Sequence, residues 1–106
     1  MSIDPGMLNR RLVLEAPIET ADGAGGVVRT YETVATLWAS VEPVAARGAV
    51  VADSLAATVT HRVVIRYRAD ITTRHRFRHG ARLYRIVTVR ESGKRFLEIQ
   101  AEERTD

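Results

Sequence analysis

From Thr60 to Ile71 the chain reads THRVVIRYRADI, and its side chains sort two by two into a mainly apolar set and an arginine-bearing set. His61, Val63, Ile65 and Tyr67 fall on one side; Arg62, Val64, Arg66 and Arg68 fall on the other. A period of two predicts a half-buried strand from about Thr58 to Arg68, with the first set turned to the core. Arg10 to Ala16 repeats the pattern, with Leu12 and Leu14 inward. So does Thr33 to Glu42, where Leu37, Ala39 and Val41 oppose Val34, Thr36 and Trp38, and Pro43 ends the run. RFRHGARLYRIVTVRE reads as a hairpin turning at His79-Gly80. RFLEIQAEE is a last strand after a Ser92-Gly93 turn, with Leu97, Ile99 and Ala101 opposite Phe96, Glu98, Gln100 and Glu102. Pro17 to Gly26 holds three glycines and the Asp22-Gly23 turn pair, which predicts a loop, followed by a brief extended piece from Val27 to Tyr31.

Residues 44–57, VAARGAVVADSLAA, depart from this pattern. They are rich in alanine and lack aromatics, which suits either a short helix at 47–56 or a loop. Five or six short strands with one such excursion predict a mainly β chain: a small antiparallel barrel or sandwich, in a single domain over 1–106 with an insertion at about 44–57.

Length and composition change this picture at four points. The 106 residues suit one domain. The absence of cysteine excludes a disulfide framework and a thiolate metal site. No apolar run reaches membrane-span or signal-peptide form, so the expectation is a soluble protein with no membrane partner. Net charge is +3, unevenly spread. Residues 61–90 carry nine arginines and one acid, Asp70, a net +8; the rest carry seven basic residues and twelve acids, a net −5. Such a split would suit head-to-tail contact between copies, or a basic face turned to nucleic acid.

Candidate chemistry is sparse. His75 and His79 have the four-residue spacing of metal ligands on a helix, but they lie in a strand-like run among arginines that would oppose a cation. Ser40, Ser54 and Ser92 sit in no nucleophile motif. The glycines of DGAGG lack the strand-then-helix setting of a phosphate loop. No catalytic residue, cofactor or metal is expected, and the chain reads as a non-enzyme. The basic row Arg62, Arg66 and Arg68 is the main functional candidate. Its alternatives are a solvated face, a subunit or partner contact, and a DNA contact in a small nucleic-acid-binding β-barrel. Tyr67, on the opposite face, is assigned to the core, which weakens base stacking.

The order of LNRRLVLEAP, DGAGGVVRTYETVATLWASVEPV, HRVVIRYRADIT, the Gly80 to Val89 pattern G-x-R-x-Y-x-I-x-x-V and RFLEIQAEE resembles the phage head–tail joining, or head-closure (stopper), family, which includes gene transfer agent relatives. The resemblance implies a small β-barrel whose copies form a ring at the head–tail junction, beneath portal and adaptor. There they complete the head, retain double-stranded DNA and dock the tail. It further implies residence in the neck of a virion or phage-like particle, after assembly in the bacterial cytoplasm. By position, residues 44–57 correspond to the family's channel-reaching segment, which makes Arg47, Gly48, Asp53 and Ser54 candidate channel-loop residues. Arg62, Arg66 and Arg68 are then expected to meet a neighbouring subunit or the adaptor in preference to DNA, because tight phosphate binding would slow transit.

Overall fold

The computed structural model describes residues 5–44, 49–50 and 58–104. A short 3-10 turn, Pro5–Met7, leads into eight strands: β1 Arg10–Ala21, β2 Val27–Pro43, β3 Ala49–Val50, β4 Thr58–Val59, β5 His61–Arg66, β6 Arg76–His79, β7 Arg82–Ser92 and β8 Phe96–Arg104. Six of them close an antiparallel barrel in the order β1-β2-β5-β8-β7-β6, and β3 and β4 form a separate two-stranded ribbon. The mainly β reading therefore resolves to a closed barrel. Of the expected insertion, Ala49 and Val50 are strand residues of the ribbon, in which Ala49 faces Val59 and Val50 faces Thr58. Arg47, Gly48, Asp53 and Ser54 lie outside the described residues.

Alternation places the core as the sequence implies. Leu12 and Leu14 of β1, Val63 and Ile65 of β5, and Leu97, Ile99 and Ala101 of β8 meet Ala39, Phe77, Tyr84 and Ile86 in one buried cluster. Burying each of the large side chains contributes roughly 1.5–3 kcal/mol. The link from β5 to β6 has a particular task. Those strands stand opposite one another in the ring of six, so residues 67–75 must cross the barrel, and Ile71 from that link is buried in the same cluster. On the outer wall a smaller cluster forms where Leu8, just after the 3-10 turn, packs with Val64 and Phe96.

Three features differ from the alternation-based reading. First, β1 continues to Ala21 and β2 begins at Val27, so the first half of the expected Pro17–Gly26 loop is ribbon. Only the tip turns, where the Asp22 carboxylate accepts hydrogen bonds from the amides of Ala24 (2.8 Å) and Gly26 (3.0 Å). A side chain at Gly26 would collide with that carboxylate, its Cβ lying 2.8 Å from an Asp22 oxygen. The ribbon forms an arm whose Ile18, Val27 and Val28 are exposed. Second, bulges interrupt register between Leu14 and Glu15 in the β1–β2 pair and between Ile86 and Thr88 in the β7–β8 pair. Each adds an unpaired residue, Val34 and Val87 respectively, which shifts the phase of its strand and sharpens the twist a small barrel requires. Third, Tyr67 is exposed and not core. The β5–β8 ladder ends at Arg66 opposite Phe96, and the Tyr67 amide donates to the Arg95 carbonyl (2.8 Å), so its ring lies past the last core layer.

Closure depends on the shortest barrel seam along β1. Only Val13, Leu14 and Glu15 pair with β6. Glu15 is 6% exposed, and its two oxygens accept from Arg76 Nε (2.8 Å) and Arg78 Nε (2.9 Å). Burial pushes the Glu15 carboxyl up, but the hydrogen bonds and charges of both arginines outweigh it and hold the group below its ordinary range.

Replacing Ile65, 1% exposed, by Asp should abolish folding, since an unpaired charge in the core costs more than about 4 kcal/mol. Arg66→Glu on the outer wall should keep the circular-dichroism spectrum and change stability by less than about 0.5 kcal/mol. Equal loss in both would refute the face assignment. Glu15→Gln should cost about 1–3 kcal/mol by urea unfolding at pH 7. Because the folded Glu15 is held below its unfolded value of about 4.3, its contribution is complete above that pH and fades as pH falls through the folded value. The gap between wild type and Glu15→Gln should therefore narrow on acidification; a pH-independent gap would exclude the ionised clamp.

Candidate functional site

Arg62 and Arg66 stand on the outer wall of β5, as alternation requires, but they do not form an unbroken basic row with Arg68. Val64 between them is buried under Leu8 and Phe96. Arg62 reaches Glu98 of β8 (3.1 Å) and Glu42 of β2 (3.7 Å). Arg68, beyond the end of β5, makes a two-pronged contact with Asp70 at 3.0 and 2.9 Å. Its hydrogen bonds hold the Asp70 carboxyl below its ordinary value. Arg66 is exposed, and no carboxylate among the described residues pairs with it.

The charge split along the sequence is not a split in space. β8 lies between β5 and β7, so its acids fall beside the arginines of both. Glu98 sits between Arg62 and Arg90 (3.1 and 2.8 Å). Glu102 sits between Arg85 and Arg104 (3.2 and 3.5 Å). Glu103 faces His61 and Arg82, each at 3.7 Å. Across the arm, Glu19 joins Arg29 (3.2 Å) to Arg74 (3.1 Å). With Glu15, five carboxylates each serve two basic groups. Exposed pairs of this kind contribute only about 0–1 kcal/mol each, so their main consequence is positional. They hold guanidinium groups in place and leave net positive charge on the wall. Alternation sets Glu98 and Glu102 opposite Leu97, Ile99 and Ala101 but does not reveal these partners. The missing signal is strand order, since alternation gives the face of a residue but not its neighbour.

Five arginines, Arg29, Arg74, Arg76, Arg85 and Arg104, line a cleft of about 420 Å³ between the arm and the β6–β7 hairpin, together with Tyr31. The Arg76 guanidinium lies 3.5 Å from the centroid of the Tyr31 ring. This cleft was not foreseen from sequence because its arginines come from four separated segments. The His75–His79 pair is divided between two recesses. His75 lines this cleft, with its Nδ1 accepting from the Thr72 amide (3.2 Å), while His79 lines a smaller hollow with His61, Arg82 and Tyr84. Among the described residues, no group of three or more His, Asp or Glu side chains is placed to hold a metal ion, and no helix is long and apolar enough to cross a membrane.

Two solved structures share this architecture. Protein SF1141 from Shigella flexneri 2a superposes with a TM-score of 0.72 at 30% identity, over 95% of this chain and 96% of that one. A chain from the virion of a native gene transfer agent particle superposes with a TM-score of 0.67 at 29% identity, over 92% of this chain and 96% of its own length. No curated protein matches the sequence. The family model for phage head completion proteins matches residues 3–104. With nearly the whole barrel, its arm and its last strand inside that match, the chain belongs to the phage head completion protein family.

Proposed function

We propose that copies of this chain form a ring at the head–tail junction, where they close the filled head, help retain its DNA and offer the surface on which the tail docks. Membership of the family makes the chain a structural virion component; the ring, its place and its partners are our reading. The observation that carries it is the match to the gene transfer agent virion chain over almost the full length of both proteins. Portal or adaptor above, tail proteins below and packaged double-stranded DNA in the channel are the partners this reading supplies.

The fold offers a physical route to such a ring. A closed barrel has few open edges, so contacts between copies must use side-chain surfaces or the arm. Beyond Glu15, β1 loses its β6 partner, and β2 pairs with β5 only from Ala39 onward. The arm therefore carries unpaired backbone edges together with exposed Ile18, Val27, Val28 and Val34. Heterologous contacts of arm against barrel wall, repeated around an axis, close a ring. The charge split supports this less than its sequence suggests, since the β8 acids are engaged within the chain. Of the basic row, Arg66 is the member best placed to meet a neighbour or the adaptor, while Arg62 and Arg68 are held by carboxylates of their own chain. Arg47, Gly48, Asp53 and Ser54 are assigned to the channel by their place in the family order.

One observation favours a second reading, a small nucleic-acid-binding barrel. Tyr67 is 47% exposed and adjoins Arg66 and Arg68, an arrangement suited to stacking a base beside a cation. Titration with single- and double-stranded DNA at two salt concentrations separates the readings. Low-salt binding that is lost on Tyr67→Ala favours the second, and no binding at low salt removes it.

Particles made without this chain should contain filled heads that leak DNA and carry no tails; normal tailed particles would refute the proposal. Arg66→Glu protein, folded in isolation, should restore tailed particles about tenfold less well than wild type, because reversing a contact charge costs on the order of 1.4 kcal/mol or more.

A further inference from the structure

We propose that the arginine cleft between the arm and the β6–β7 hairpin binds an extended acidic peptide segment of a partner protein. The inference deepens the preceding reading by giving one partner contact its chemistry, and it rests on that reading only for who the partner is.

The cleft is built from both sides. Pro17, Arg29 and Tyr31 of the arm form one wall, and Arg74, Arg76 and Arg85 form much of the other. Among the described residues, no acidic side chain lines it. The carboxylates that hold these arginines are shared. Glu19 divides itself between Arg29 and Arg74, Glu15 between Arg76 and Arg78, and Glu102 between Arg85 and Arg104. A guanidinium has five N–H donors in a rigid fork, and these shared contacts use only part of that capacity at Arg74, Arg76 and Arg85. Their heads are thus positioned in advance, with donor capacity left for another oxyanion. Stacking on Tyr31 adds a second restraint on Arg76. Such preorganisation lowers the entropy lost when a carboxylate is taken up.

Shape decides between an acidic peptide and DNA. The volume, about 420 Å³, lies within the usual range of ligand-binding clefts, roughly 300–1,000 Å³. A duplex presents its phosphates on a convex surface and would bridge the mouth of the recess without entering. Pro17, Tyr31 and Leu83 also give the cleft apolar wall area. A sugar-phosphate backbone would leave that area unfilled, whereas a peptide alternating acidic and apolar side chains would cover it while its carboxylates meet the guanidinium forks.

The test uses the purified full chain, a synthetic hexapeptide alternating Glu and Leu, and a 12-base-pair duplex. Binding is followed by calorimetry and by amide chemical shifts at two salt concentrations. The peptide should bind at low salt and shift the amides of Tyr31, Arg74 and Arg85. Arg74→Glu and Arg85→Glu should each weaken it at least tenfold, while Arg85→Lys retains part of the affinity. Arg90→Glu makes the same charge change outside the cleft and should leave binding within about twofold. Equal weakening by Arg90→Glu, shifts confined to other surfaces, absence of peptide binding, or tighter cleft-dependent binding of the duplex would each overturn the proposal. Chemical-shift dispersion in every variant separates lost binding from lost folding. Failure here leaves the ring proposal intact, and tailed particles assembled without this chain would refute the ring without affecting measured peptide binding.

Discussion

The barrel is shut by a carboxylate held between two guanidiniums. β1 contributes twelve register pairs to β2 but only three to β6, and one of those three is Glu15 opposite Arg76. A seam so short has little backbone hydrogen bonding to spare. Ionic contacts from one glutamate to two successive outward positions of β6 therefore tie the sheet's first and last strands. Burial alone would favour a neutral Glu15, and the two arginines reverse that preference. The same contact sets Arg76 against Tyr31, so the clamp that closes the barrel also fixes the base of the arm.

One arrangement recurs across the outer wall: a glutamate on one strand and basic side chains from two directions. It follows from strand order. β8 carries the terminal acids and is flanked by β5 and β7, which carry much of the arginine. Cross-strand neighbours lie within reach of long side chains, so neutralisation is local and incomplete. The wall is left basic but ordered, and such a surface can select partners by geometry as well as charge. At the cleft the ordered guanidiniums enclose a recess; along β5 they flank an apolar cluster. The two surfaces suit different contacts even though both are basic.

A closed barrel also decides where assembly contacts can lie. Most of its backbone polar groups are paired internally, so two attachments stand out: the β1–β2 arm and the separate β3–β4 ribbon. The arm carries exposed apolar residues and unpaired edges, while the barrel at its base is closed. The Asp22 cap at its tip satisfies two turn amides, which keeps the end of the ribbon in a defined shape.

Much of the barrel was legible in the chain itself. The period of two in RRLVLEA, HRVVIR and FLEIQAEE determined which side chains face inward, because a strand with one wet face admits only one register of apolar residues. Glycine at position 80, with a positive φ of 62°, marked the β6–β7 turn for the same local reason. Alternation fails where a strand gains an unpaired residue, so the phase shifts at Val34 and Val87 were hidden. It also fails where a strand outruns the core, so Tyr67 was assigned inward and the β1 side of the arm was read as loop. The partners of the arginines were beyond sequence altogether: Glu15 and Arg76 are far apart in the chain and adjacent in space. Local pattern determined faces and turns, while closure of the sheet decided neighbours, because proximity between distant strands is set by the order in which they pair.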